Sequence, residues 1–346
     1  MDLNDFNYNL PESNIAQYPV TPRDACRLMV VNRSNQSIVH TSFMNLGELL
    51  NAGDLLVVNN SRVIPSRIKG NTLENSNNIE ILLLKCLSGG LWQVLIKPGR
   101  KFKIGSNFSL FKQGVRLNIT VIDILDDGSR IVRIDNEEHL INIAKIALPP
   151  YIKNLSTHEF DYQTIFAKND GSIAAPTAGL HFTEKLLFAL EHKGIKRTDI
   201  TLHVGWDSFR PIRSSKIEEH TMHSEYYSID KDILKKLYKV KKDKGRIIAV
   251  GTTTTRVLEH IGQNNQGKLI NIEGISKESG QTNLFIFPGH EFKIVDAMVT
   301  NFHLPKSTLL LLVSAFADKD LILYAYNEAV KEGYRFYSFG DAMLIL

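Results

Sequence analysis

The chain has 346 residues, 43% of them hydrophobic, and its 41 Lys and Arg against 37 Asp and Glu leave a net charge of +4. This length suits about two domains with packed cores, and so small a charge excludes nucleic-acid binding through bulk charge, leaving only local basic clusters for that work. The two cysteines, Cys26 and Cys86, make no metal-spaced pair and read as reduced thiols of a cytoplasmic protein. Asp2 and Asp5 stand where a signal peptide would carry lysines, and the longest apolar run, near Leu309–Ala317, is about half of a membrane span.

In chain order, residues 1–65 mix turns with short apolar runs. GDLLVVNNSRVIP predicts a buried strand, Leu55–Val58, opening into a polar turn at Asn59-Asn60. From 66 to 150 the runs Ile79–Leu84, Leu91–Ile96, Val115–Ile124 and Arg130–Ile134 are separated by Gly89-Gly90, Pro98-Gly99 and Asp126-Asp127-Gly128. With no useful helical period before about Glu137, this predicts a small antiparallel barrel or sandwich, closed by Pro149-Pro150.

Beyond Tyr151 helices and strands alternate. Thr183 caps a predicted helix through His192, with Gly194 just past its end. Residues 200–204 alternate as a strand. Ile233, Leu234, Leu237 and Val240 recur at helical spacing ahead of the apolar strand Ile247–Val250, and a further helix fits 319–332. The expected fold is an α/β main domain, 1–65 plus 151–346, with an inserted antiparallel β-barrel domain, 66–150.

Four motifs bear on chemistry. In AVGTTTTRVLE a strand, a turn at Gly251 and a helix from about Thr255 place hydroxyls at a strand's carboxyl end, where helix N-termini offer free N–H groups. Capping and strand packing account for threonines there as readily as a ligand does. GQNNQGKL has phosphate-loop spacing, but Leu269 replaces the required Ser or Thr and the segment follows a helix, so it is set aside, and no G-x-G-x-x-G occurs. His181, His203, His220, His223 and His303 gather in the α/β portion. H-x-x-H-x-E at 220–225 does not match the zinc spacing, so these histidines read as acid/base groups or as structural ones. The seven lysines in Lys231–Lys244 suit either phosphates or a solvated helix face. YRFYSFGD, Tyr334–Asp341, suits either base stacking or a buried strand.

Taken together, LPESNIAQYP, RDACRL, GDLLVVNNSRVIPSR, APTAGLHFT, TLHVG with FRP, HTMHSEYY, AVGTTTTRVLE, FKIVDAMVTNFHLPKSTLLLLVSAFA and YRFYSFGDAML resemble the S-adenosylmethionine:tRNA ribosyltransferase-isomerase family of queuosine biosynthesis, from about Phe6 to the last residues. The resemblance implies an α/β domain with a β-barrel domain. It also implies that the ribosyl portion of S-adenosylmethionine is joined to an aminomethyl-deazaguanine at the wobble position of tRNA with a GUN anticodon. Adenine and methionine leave and epoxyqueuosine remains. S-adenosylmethionine is then a consumed cosubstrate, with neither metal nor redox cofactor required, and a cytoplasmic monomer is expected. Asn7, Asn283, His290 and Trp206-Asp207 depart from the family pattern.

That chemistry needs a base for the C5′ hydrogen beside the sulfonium, an acid for the departing adenine and a neutral amine. Residue chemistry nominates His203, His223 and Glu225 for proton transfer, with His181 next. Thr252, Thr253 and Thr254 would hold S-adenosylmethionine, with Arg256 on its carboxylate. Arg23, Asp24, Arg27, Lys306, Tyr337 and Asp341 are the candidates for the tRNA side. Two other readings are a methyltransferase, for which the Gly-rich cofactor loop is missing, and a non-catalytic RNA-binding module, which leaves the polar motifs at 176–183, 220–225 and 251–256 unexplained.

Overall fold

The computed structural model describes residues 1–73, 78–153, 159–206, 212, 214–264 and 277–346. The FRP motif at 209–211, Asp207 and most of GQNNQGKL lie outside the described residues. Two compact units are formed, one by Met1–Arg62 with Pro150–Leu346 and the other by Val63–Pro149. Among the described residues no helix is long and apolar enough to cross a membrane.

The larger unit is built on a nine-stranded mixed sheet, in the order 277–282, 225–230, 196–202, 55–59, 247–250, 297–301, 342–345, 27–32, 37–42. The four central strands, Lys196–Leu202, Leu55–Asn59, Ile247–Val250 and Ala297–Asn301, run parallel. Strands in the middle of such a sheet are covered on both faces, and every residue of Leu55–Asn59 and Ile247–Val250 is buried. Glu184–His192 forms the predicted helix. The Thr183 hydroxyl accepts the Leu186 N–H at its start, and Gly194 lies just beyond its end at φ +83. Lys231–Lys242, Thr252–Asn264, Thr308–Ala317 and Lys319–Lys331 are the other long helices.

Three expectations shift. The helix after Gly251 begins at Thr252 rather than near Thr255, and the strand expected at 200–204 is Lys196–Leu202, which puts His203 just past its end. The aromatics of YRFYSFGD precede the last strand, Ala342–Ile345, instead of forming it. Tyr334 and Phe336 are buried, and their rings lie 5.4 and 5.0 Å from that of Phe302.

The smaller unit is a six-stranded antiparallel sheet, ordered 67–71, 78–88, 91–97, 130–134, 115–124, 107–112. A bridge between Thr72 and Leu110 brings its two ends together, so the sheet nearly closes as a barrel. Ile81, Val94, Leu117, Ile119, Val121 and Val132 fill its interior, and Leu140 and Ile143 join them from the short helix Leu140–Ile143.

Candidate active site

A cavity of about 490 Å³ opens at the carboxyl ends of the parallel strands Ile247–Val250 and Ala297–Asn301, in the larger unit. This size and position are those of a small-molecule site in an α/β sheet. Gly251, at φ +92, turns the chain directly from strand into helix. The helix that follows sorts the four threonines by phase. Thr252 and Thr253 border the cavity. The hydroxyls of Thr254 and Thr255 bond back to the carbonyls of Val250 and Gly251, at 2.9 and 3.1 Å, and both residues are fully buried. Thr254 therefore leaves the expected ligand-binding set. Its hydroxyl serves the backbone.

Arg256 lies one turn further along and also borders the cavity, but its guanidinium is already engaged. Nε donates to the Leu284 carbonyl at 3.0 Å, one terminal nitrogen to the Thr282 carbonyl at 3.4 Å, and the other to the Glu225 carboxylate. Glu225 thus already holds the guanidinium that was expected to meet a methionine carboxylate. Glu225 is buried at the start of the strand Glu225–Asp230. It accepts the Gly205 N–H at 3.0 Å and lies 3.4 Å from His223 Nε2. Burial pushes its carboxyl up, but Arg256 and then His223 more than offset this and hold it at about 2. Glu225 ties His223, the Gly205 backbone and Arg256 in the cavity wall together.

His203 stacks on Tyr226, with ring centres 5.7 Å apart. Burial lowers its pKa, Asp170 opposing, and among the described residues its buried Nδ1 has no hydrogen-bond partner. His203, His223 and Glu225 do not border the cavity, although their neighbours Val204 and Met222 do, and His181 does not border it either. His181 is packed beneath the cavity floor with Nδ1 at 3.1 Å from the Cys26 thiol and Nε2 at 2.9 Å from Asn301 Nδ2. Asn301 also donates to the Tyr337 carbonyl and accepts from the Thr177 hydroxyl, so its amide faces His181 as a donor. His181 therefore keeps its proton on Nδ1, towards the thiol. Burial, with Arg23 and Arg335 adding to it, depresses its pKa to about 3. It is a fixed neutral group rather than the expected proton carrier. Cys26 is no nucleophile either, since burial pushes its thiol far up.

The tRNA-side candidates divide in the same way. Lys306 and Tyr337 border the cavity. Both hold left-handed backbone, at φ +56 and +72, and the Tyr337 ring lies 4.2 Å from that of Tyr151. Arg23, Asp24, Arg27 and Asp341 do not border it. Arg23 donates to the Asp161 carbonyl at 2.5 Å, and Arg27 covers the Tyr334 ring at 3.8 Å. Asp24 accepts the Thr183 hydroxyl at 2.7 Å, while Asp341 accepts the backbone N–H groups of Arg27 and Arg335 at 2.9 and 2.8 Å. Both carboxylates are buried structural acceptors.

The wall also includes residues outside the nominated set, among them Tyr151, Asn301 and His303. His303, buried and shifted down to about 3, is bonded to Tyr326 and Thr300 through its two ring nitrogens. The run TNFHLP carried a signal for the last two, a polar pair at the end of an apolar strand. Among the divergent positions, His290 faces the buried Glu259 at 3.7 Å, away from the cavity. Among the described residues no three metal-ligating side chains come together.

The queuosine biosynthesis protein family profile matches residues 3–345. The S-adenosylmethionine:tRNA ribosyltransferase-isomerases of Desulfitobacterium hafniense and Thermosipho melanesiensis are 50% and 49% identical to the chain, over 100% of both partners in each pairing. The crystal structure of the S-adenosylmethionine tRNA ribosyltransferase from Thermotoga maritima is 38% identical, with a TM-score of 0.56, and the match covers 99% of this chain and 100% of that one. Most of the cavity wall comes from the segments that carried the resemblance, and with a match from residue 3 to residue 345 the chain belongs to the queuosine biosynthesis protein family.

Proposed function

We propose that this chain transfers and isomerises the ribosyl moiety of S-adenosylmethionine onto the aminomethyl-deazaguanine of a GUN-anticodon tRNA, releasing adenine and methionine. The observation that carries the reading is the 50% identity, over the whole of both chains, to a protein named for that transfer. The cavity supports it with a polar end of Thr252, Thr253 and Arg256 and an apolar side that suits a nucleoside. In this reading Thr252 and Thr253 hold S-adenosylmethionine, and its carboxylate approaches the Arg256 guanidinium that Glu225 also shares.

His203 and His223 carry the protons. Their neighbours Val204 and Met222 line the cavity, and an imidazole beside a fixed carboxylate suits protonation of the leaving adenine. Glu225 positions His223, and His181 positions Asn301. Lys306 and Tyr337 meet the tRNA at the cavity mouth. The β unit is read as an inserted domain, and the enzyme as a cytoplasmic monomer that needs no metal or redox cofactor.

The test is one incubation of the full chain with S-adenosylmethionine and tRNA carrying the aminomethyl-deazaguanine, followed by mass spectrometry. Adenine and epoxyqueuosine should appear in equal amounts. S-adenosylhomocysteine in their place would make the chain a methyltransferase, and no small product from folded protein that binds the tRNA would make it a binding module.

A further inference from the structure

A second concavity, of about 1270 Å³, lies between the helices Glu184–His192 and Lys231–Lys242. It sits at the opposite ends of the parallel strands from the cavity, against Leu55, Lys196 and Gly245. Its walls carry six cations, Lys185, Lys196, Arg197, Lys236, Lys239 and Lys244, against the carboxylates of Glu184, Glu191 and Asp243. That excess of three lies in one groove of a chain whose whole net charge is +4.

The cations come from two helices, the strand between them and the turn that follows Lys242. Lys236 and Lys239 are three residues apart, on one helix face. On the same helix Lys235 and Lys241 are paired, with Asp232 at 3.1 Å and Asp296 at 2.6 Å. The five groove lysines have no ion pair among the described residues, and Arg197 has only Asp199, at 3.8 Å. Unpaired cations gathered in a concave wall repel one another, and a polyanion relieves that repulsion. Phe188, 65% exposed at the rim, adds a ring on which a base or ribose can stack.

We propose that this groove docks the phosphodiester backbone of the tRNA at a distance from the reacting base, an inference that rests on tRNA being the substrate. The strand Lys196–Leu202 runs from the groove towards the cavity end of the sheet, and at about 3.3 Å per residue its length is roughly 20 Å. The groove therefore meets the stem that adjoins the modified loop, and the lysines read charge and spacing rather than sequence.

The test is Lys196→Ser/Lys236→Ser/Lys239→Ser in the full chain, with circular dichroism matched to the parent. Fluorescence anisotropy with full-length tRNA between about 50 and 200 mM salt should give a log–log slope shallower by about 0.9 for each phosphate that the variant no longer neutralises, about two to three phosphates in all. KM for tRNA should rise at least tenfold, with kcat and KM for S-adenosylmethionine unchanged. The control Lys235→Ser/Lys242→Ser, outside the groove, should keep the parent slope. An unchanged slope and affinity would overturn the proposal and leave the groove to an acidic polypeptide. A fall in kcat at unchanged affinity would overturn it too. Parent protein that binds tRNA but releases no adenine would sink the enzymatic reading alone, because the slope still tests the groove.

Discussion

At Gly171 the backbone runs against the His203 ring, and a Cβ built there would lie 2.9 Å from Cε1 and Nε2. Gly171 also sits at φ +142, where a side chain is strained. Gly171→Ala should therefore push the imidazole off Tyr226 and lower kcat by about 10²-fold, the lower end of what a positioned acid or base contributes, as His203→Gln should. Equal turnover in Gly171→Ala and the parent would remove His203 from the proton-transfer steps. The buried Arg256–Glu225 pair is a different kind of dependence. Glu225→Gln leaves the buried guanidinium without its counter-charge, and breaking such a pair costs about 3–5 kcal/mol. Urea unfolding should show this, and Glu225→Gln/Arg256→Met should regain part of it. A loss below about 1 kcal/mol in Glu225→Gln would mean that water or another group reaches Arg256.

The four threonines show what an element adds to a motif. Their polarity and their place after a buried strand are visible in the sequence, but which of them faces a ligand depends on helix phase. At 3.6 residues per turn, a start three residues early rotates every assignment by about 300°. The expected start near Thr255 left Thr254 in the loop, where its hydroxyl looked available. The start at Thr252 turns it inward. Thr253 accepts from Asn59 Nδ2 at 3.4 Å, which leaves its own hydroxyl proton to offer. Thr253→Val should raise KM for S-adenosylmethionine about three- to tenfold, the worth of one neutral hydrogen bond. Thr254→Val should leave KM alone and cost about 1 kcal/mol of stability, read from urea midpoints. A KM effect confined to Thr254→Val would invert this phase. The same limit explains Asp24 and Asp341. A carboxylate in a polar motif looks functional until the backbone N–H or hydroxyl it satisfies is brought in from far along the chain.

Over the whole molecule, apolar runs and turn residues made the central strands, the β unit and most helices legible, because each is written within about a dozen residues. Strand order was not legible, and neither was the company kept by His181 and His303, because both depend on contacts more than a hundred residues apart or on a shared interior. That shared burial has a pH consequence. Both histidines are buried and lowered from 6.5 to about 3, burial being the main cause at each. Below 6.5 the unfolded chain takes up protons that the folded chain refuses, so stability must fall as pH drops from 6.5 towards 3. Each contributes a slope of up to about 1.4 kcal/mol per pH unit. His203, His220 and His260 are shifted in the same direction, chiefly by burial, and steepen the loss. Glu225 adds its own term below 4.5, since a carboxyl lowered to about 2 stabilises above the ordinary value and loses that contribution as pH falls through 2. Urea midpoints should therefore decline steadily from pH 7 to pH 4.5, and His303→Gln should flatten the decline by about one proton's worth of slope. A flat profile over that range would show that His181 and His303 take up protons in the folded state, and the cavity floor could then no longer be a neutral, fixed scaffold.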